Sequence, residues 1–230
     1  MMMTRRIMLG CAALVVAVLA FASDADALTP DEAAALPDRV LGKAEAPVTI
    51  IEYASLTCGH CAMFQEKTLP QLKEKYIETG KVKMIYRDYP IDGPALKAAA
   101  VARCMPESSY HAYITLLFKN QSNWAHEDDL AKTLGQYARL GGLGQADVDA
   151  CIKSDKLMDA IADGRLKADK LYKVESTPTF ILNEGKDKVE GALPFEQFAA
   201  KIDALLATTT APVAKPELKV EEKPKTDGKK

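Results

Sequence analysis

Cysteine, histidine and tryptophan are scarce in this chain: five, three and one among 230 residues. So few cysteines exclude a scaffold built from disulfides, and their irregular placement excludes a zinc ribbon. Neither sign of charge dominates, with 30 Lys and Arg against 32 Asp and Glu. That leaves no electrostatic case for nucleic acid as a partner. No internal repeat is visible. The longest apolar run, Ile7 to about Ala22, has about 16 residues, short of the ~20 that cross a bilayer. What remains is 48% hydrophobic and 27% charged, enough for one packed domain with an insertion and incompatible with global disorder.

The two ends stand apart from this domain. Arg5 and Arg6, the apolar run and the small residues after it follow the order of a secretory signal. Ala20-Phe21-Ala22 and Ala25-Asp26-Ala27 both fit a cleavage site. The second is favoured, so residues 1–27 are expected to be removed before Leu28 and the protein to be periplasmic. An uncleaved anchor is the alternative. From Ala207 to Lys230 the chain is Thr, Pro, Lys and Glu with few apolar side chains. It is expected to be a disordered tail. The body between, residues 28–206, carries a charge of about −4.

Cys11 leaves with the signal, and the mature chain keeps Cys58, Cys61, Cys104 and Cys151. This is an even number in an oxidising compartment. Cys58 and Cys61 form a C-x-x-C pair. Val48–Tyr53 before it reads as a buried central strand, and Ala62–Ile77 after it as a helix bent at Pro70. Cys58 therefore sits at a helix N-terminus, where free N–H groups and the helix dipole favour a thiolate. His60 is a further donor beside the sulfur. Cys61, one turn in, is placed to resolve a mixed disulfide. A zinc site lacks a second ligand pair, and no metal or other cofactor is expected. An inert short-loop disulfide remains the competing reading. Cys104 and Cys151 lie in separate helical stretches, either as a bonded staple or as two buried thiols. His111 and His126 read as ordinary surface or helix residues.

Glu52 is a carboxylate inside the buried run. Burial raises its pKa and makes it a proton shuttle for Cys61; the alternative is an edge-strand Glu facing water. Arg87, at the end of a second strand (Val82–Arg87), either partners Glu52 or is exposed. Far downstream, Pro178 directly precedes the apolar run Thr179–Leu182, which marks an edge, a bulge or a cis bond. Between lie five helical stretches, Ala95–Cys104, Tyr110–Asn120, Leu130–Leu140, Gln145–Ser154 and Lys156–Leu171. A hairpin over residues 183–186 and a helix from Pro194 to Leu206 follow.

Strand, C-x-x-C helix and late Thr-Pro strand together resemble the thioredoxin fold. With the signal, the chain resembles the bacterial DsbA-like thiol:disulfide oxidoreductases over roughly residues 35–206. The resemblance rests on Glu52 to Cys61, on Arg87-Asp88-Tyr89-Pro90 and on Thr177-Pro178-Thr179-Phe180. It implies an α/β thioredoxin-like fold whose helical insertion, about residues 91–171, separates the second strand from the cis-proline strand. It further implies that Cys58, Cys61, His60 and Glu52 are catalytic. Pro178 would be cis against the sulfurs, and Thr177 would offer its backbone to substrate. Cys104 and Cys151 fall where some members carry a second disulfide.

Gly59 departs from the pattern, since DsbA has proline there. The resulting Cys-Gly-His-Cys is that of protein disulfide isomerase, whose potential is about −180 mV against about −120 mV for DsbA. The implied activity is oxidation of exported proteins through a mixed disulfide at Cys58, in a monomer re-oxidised by a DsbB-type membrane partner. Disulfide isomerase or reductase activity, or a binding module with a structural disulfide, are the alternatives.

Overall fold

A computed structural model describes residues 27–209. The expected signal segment up to residue 26 and the tail from residue 210 lie outside the described residues. A short helix, α1 (Pro30–Ala33), is closed by a capping box between Thr29 and Glu32. It leads to a two-residue strand, β1 (Val40–Leu41). Next come β2 (Val48–Ala54) and, after the C-x-x-C helix, β3 (Val82–Asp88). β4 (Thr179–Leu182) and β5 (Asp187–Glu190) close a five-stranded sheet in the order β1-β3-β2-β4-β5. β2 runs parallel to β3, with Val48 opposite Val82, and antiparallel to β4, with Tyr53 opposite Thr179. Both faces of this central strand are covered, which is why its sequence is almost continuously apolar.

The segment after Cys58 is not a single helix bent at Pro70. It runs as α2 (Gly59–Met63), a π-turn (Phe64–Thr68), α3 (Leu69–Leu72) and a second π-turn (Lys73–Ile77). Pro70 cannot donate to the carbonyl four residues back. The wider turn ahead of it absorbs the mismatch, with the Leu69 N–H reaching the Phe64 carbonyl. This ramp and the last helix, α10 (Phe195–Thr209), cover one face of the sheet. Phe64, Leu72, Tyr76 and Phe198 pack there on Ile50, Met84 and Phe180.

The expected helical insertion is present. It comprises α4 (Gly93–Cys104), α5 (Glu107–Lys119), α6 (Gln121–Trp124), α7 (Leu130–Arg139), α8 (Gln145–Lys153) and α9 (Asp155–Tyr172). Asp92, Asp129 and Ser154 cap α4, α7 and α9 with their side chains, each satisfying N–H groups the helix itself leaves free. Ala168 of α9 joins Ile51, Tyr53, Ile85 and Ile181 on the second face of the sheet. The other insertion helices build their own core around Tyr110, Leu117, Trp124 and Leu134, and that core extends to Cys58 and Cys61. β1 and α6 are too short to carry a sequence period, and neither is foreseen from the pattern. α10 continues to Thr209, past the boundary expected at Leu206.

Cys104 and Cys151 are bonded, joining α4 to α8 across 47 residues. Closing a loop of that length removes denatured-state entropy equivalent to about 4 kcal/mol. Replacing both cysteines with alanine is therefore expected to lower unfolding stability by roughly 2–4 kcal/mol in urea titrations. An unchanged midpoint would show that α4 and α8 are held by packing alone.

Candidate active site

The turn between β2 and α2 delivers both cysteines. The Cys58 N–H donates to the Ser55 carbonyl at 3.0 Å, and the Ala62 N–H takes up the Cys58 carbonyl at 3.1 Å. Cys58 is thereby the N-cap of α2, with extended backbone dihedrals. Gln121 of α6 clamps the turn from the insertion, its amide donating to the carbonyls of Leu56 (2.7 Å) and Cys58 (3.2 Å). The Thr57 hydroxyl donates to Asp92 at 2.7 Å, and Asp92 also caps α4. One carboxylate thus ties the active-site turn to the start of the insertion.

The two thiols are free and differ sharply. Cys58 is 9% exposed and Cys61 fully buried. The Cys58 pKa is lowered to about 5, chiefly because the Cys61 thiol donates to its sulfur; the Thr177 hydroxyl and the backbone N–H groups of Cys61 and His60 add to this against the cost of burial. In the thiol form Cys58 instead donates to the Thr177 carbonyl at 3.4 Å. Cys61 is pushed the other way. Burial raises its pKa most, and the hydrogen bond to Cys58 and the charge of Glu52 raise it further. The helix start thus favours a thiolate at Cys58 and a neutral thiol one turn deeper.

His60 is exposed. Its contribution to the sulfur is its backbone N–H, where the sequence pointed to the imidazole. Gly59 holds the first helical position with open space around it, so packing does not dictate the departure from proline there. The Thr177–Pro178 bond is cis. The loop is pinned on both sides of this bond. The Gly191 N–H donates to the Pro178 carbonyl at 2.8 Å, and the Thr179 hydroxyl donates to the Ser176 carbonyl at 2.8 Å.

Glu52 lies on the central strand β2 and is completely buried, so it is not an edge-strand residue exposed to bulk solvent. Arg87 is not its partner: that guanidinium reaches Asp38 (2.9 and 3.1 Å) and the Tyr53 hydroxyl (3.2 Å) on the other face. Strand alternation separates them, since Tyr53 and Arg87 pair in register one step beyond Glu52 and Tyr86. The partner of Glu52 is Gln65, whose amide donates at 3.1 Å from the first π-turn. Sequence reasoning missed Gln65. Its signal is position: with Phe64, Thr68, Leu69 and Leu72 it lies on the inward stripe that starts at Cys61. Burial raises the Glu52 pKa to about 8, the Gln65 hydrogen bond opposing and the Cys58 charge adding. Among the described residues, no three His, Cys, Asp or Glu side chains gather as a metal site.

Comparisons with known proteins agree with this geometry. Residues 34–204 match the family model described as thioredoxin. The chain is 31% identical over 147 residues to a Rickettsia typhi protein assigned, by name only, as a protein-disulfide oxidoreductase. That match covers 64% of this chain and 54% of the relative, so the chain spans about half the length of the curated relatives it matches. The crystal structure of Wolbachia pipientis alpha-DsbA1 superposes with a TM-score of 0.69 at 34% identity, covering 75% of this chain and 92% of that one. The Bacillus subtilis protein BdbD, at 19% identity and a TM-score of 0.66, covering 79% and 99%, shares the fold.

The buried carboxyl has a consequence for stability. Between about pH 4.5 and about 8 Glu52 is protonated in the native state and ionised in the unfolded one. The native state then binds more protons, so stability falls as pH rises, by up to about 1.4 kcal/mol per unit. The oxidised protein isolates the part due to burial, because its active-site thiols no longer titrate and the Cys58 charge no longer adds to the shift, while Glu52 stays buried. Glu52→Gln is expected to flatten the pH profile and to raise the urea midpoint at pH 7.5. Parallel profiles for the two proteins would mean that Glu52 is ionised in the folded state.

Proposed function

The chain belongs to the DsbA-like branch of the thioredoxin family, and from that premise we propose that it is a periplasmic thiol:disulfide oxidoreductase that donates its Cys58–Cys61 disulfide to exported proteins. The observation that carries this reading is the placement of the two thiols, Cys58 at the N-cap of α2 and Cys61 fully buried one turn deeper, which favours a thiolate at the first and a neutral thiol at the second. A dithiol site that keeps one sulfur as a stable thiolate favours its own reduced form, and so gives its disulfide away.

A substrate thiolate attacks Sγ of Cys58, a substrate–Cys58 bond forms, and the Cys58–Cys61 bond breaks. Cys61 leaves as a thiolate and takes a proton from the neutral Glu52 carboxyl. A second substrate thiolate then attacks the substrate sulfur of the mixed disulfide, and Cys58 departs as a stabilised thiolate. The substrate loses two electrons and two protons. Cys58 and Cys61 hold the electrons, Cys61 holds the proton that Glu52 gave, and of the substrate's two protons one restores Glu52 by way of solvent while the other stays in solvent.

In this reading Cys58 is the attacked sulfur and Cys61 the resolving one, with Glu52 as the proton donor of the inner thiol. His60 supplies a main-chain donor. Pro178 and Thr177 present the edge on which an extended substrate segment lies. Cys104–Cys151 is a structural staple. The export signal of residues 1–27, the tail and the monomeric state belong to the same proposal, as does regeneration by a DsbB-type membrane oxidant. Isomerase or reductase activity is the alternative that Gly59 keeps in view. A binding module with an inert disulfide fits less well, because an inert bond has no use for a neutral carboxyl behind it.

Cys61→Ser, with Cys58 first converted to its mixed disulfide with glutathione, should pass to a trapped mixed disulfide with a reduced, unfolded ribonuclease and release glutathione as thiol, and Cys58→Ser treated alike should not. In glutathione buffers the Cys58–Cys61 couple is expected at or above about −190 mV. A value at or below about −250 mV, near thioredoxin, would make the site a reductant.

A further inference from the structure

A cleft of about 370 Å³ opens between the ramp, α5 and the sheet. Its floor is Glu52, with Gln65 and Tyr86 beside it. At its mouth stand the exposed Ala112 and Thr115, and between them lie the half-buried His111 and Lys73. Two polar atoms lining it are buried without a protein partner among the described residues, Oε1 of Glu52 and Nε2 of His111. Buried polar atoms of this kind are ordinarily satisfied by water, and the cleft has room for several molecules. Neither Cys58 nor Cys61 lines it. The approach to Glu52 is therefore separate from the approach to the reactive sulfur.

We propose that this cleft is a rear proton entrance to the active site, in which His111 passes protons between solvent and the Glu52 carboxyl while a substrate polypeptide covers Cys58. The proposal rests on the oxidoreductase reading and deepens it. When Cys61 leaves as a thiolate it takes the Glu52 proton, and a carboxylate remains behind the ramp, on the floor of the cleft. Reprotonation from the front is blocked for as long as the mixed disulfide occupies Cys58. From the rear, water in the cleft hands a proton to Glu52 Oε1 and draws its replacement from His111.

The surroundings keep the imidazole suited to relay. Burial lowers the His111 pKa, and the charges of Lys73 and Arg39 lower it further, while the backbone of Val40 and Arg39 pulls the other way. The Tyr110 ring stands edge-on at 5.1 Å. A neutral imidazole both accepts and donates. Gln65 holds Oε2 of Glu52, leaving Oε1 as the atom that exchanges. His111 acts through Glu52 and touches no substrate, so it is a positioning residue.

The test uses the full chain and the rate at which a reduced, unfolded ribonuclease, a polypeptide that covers Cys58, reduces the Cys58–Cys61 bond, read by acid quench and thiol alkylation from pH 6 to 8. His111→Phe, which fills the cleft, is expected to slow the reaction at least tenfold and to enlarge the solvent isotope effect, with the glutathione equilibrium constant unchanged within about twofold. A proton path alters rates and not equilibria. In His111→Ala, added imidazole is expected to restore the rate in a saturable manner. Wild-type rates in both variants would overturn the proposal. So would a slowed rate that imidazole leaves untouched and that moves together with the equilibrium constant. An unaltered chain that exchanges no disulfide at all would overturn the oxidoreductase reading itself, and this inference with it.

Discussion

The hydrogen bond from the Cys61 thiol to the Cys58 sulfur is the interaction on which the other features converge. It lowers the pKa of Cys58 and adds to the burial that raises that of Cys61, so contact and burial together turn two chemically identical groups into a thiolate and a neutral acid. It persists only if Cys61 keeps its proton and Cys58 stays fixed at the helix start. The first condition is met by burying Cys61 and placing Glu52 behind it. The second is met by the turn over Ser55 and by the Gln121 amide.

The insertion matters for the same reason. Its apolar core contains both cysteines, so the packing of Trp124 and Tyr110 is continuous with the site. The Trp124 indole donates to the Leu117 carbonyl at 2.8 Å, fixing the corner from which Gln121 reaches the active-site turn. Asp92 joins Thr57 to the first turn of α4, and the Cys104–Cys151 bond holds α4 to α8. A site that tunes two thiols through short contacts depends on rigid neighbours, and here the neighbours are supplied by the inserted helices.

Much of this was legible in the sequence, and the limits have physical causes. The central strands, the C-x-x-C helix start, the insertion and the late Thr-Pro strand follow from patterns several residues long. The burial of Glu52 was one of two readings of a charge in an apolar run, and the second strand cover decides it. The segment containing Pro70 was expected to bend; its resolution into π-turns depends on backbone bonding that side-chain spacing does not encode. Gln65 and Gln121 are polar residues on helices, ordinarily solvent-facing, and only the approach of a third element turns them inward. His111 reads as an ordinary helix residue until α5 is laid against the ramp.

The central claim is that Cys58 is ionised at neutral pH while Cys61 is not. Ultraviolet titration of the reduced protein near 240 nm measures this directly, with Cys58→Ser and Cys61→Ser to assign the signal. One thiolate should form with a midpoint near pH 5, vanish in Cys58→Ser, and be followed by no second thiolate below about pH 9. A first midpoint at the ordinary cysteine value of about 8.5 would contradict the account, because the site would then have no reason to favour its reduced form.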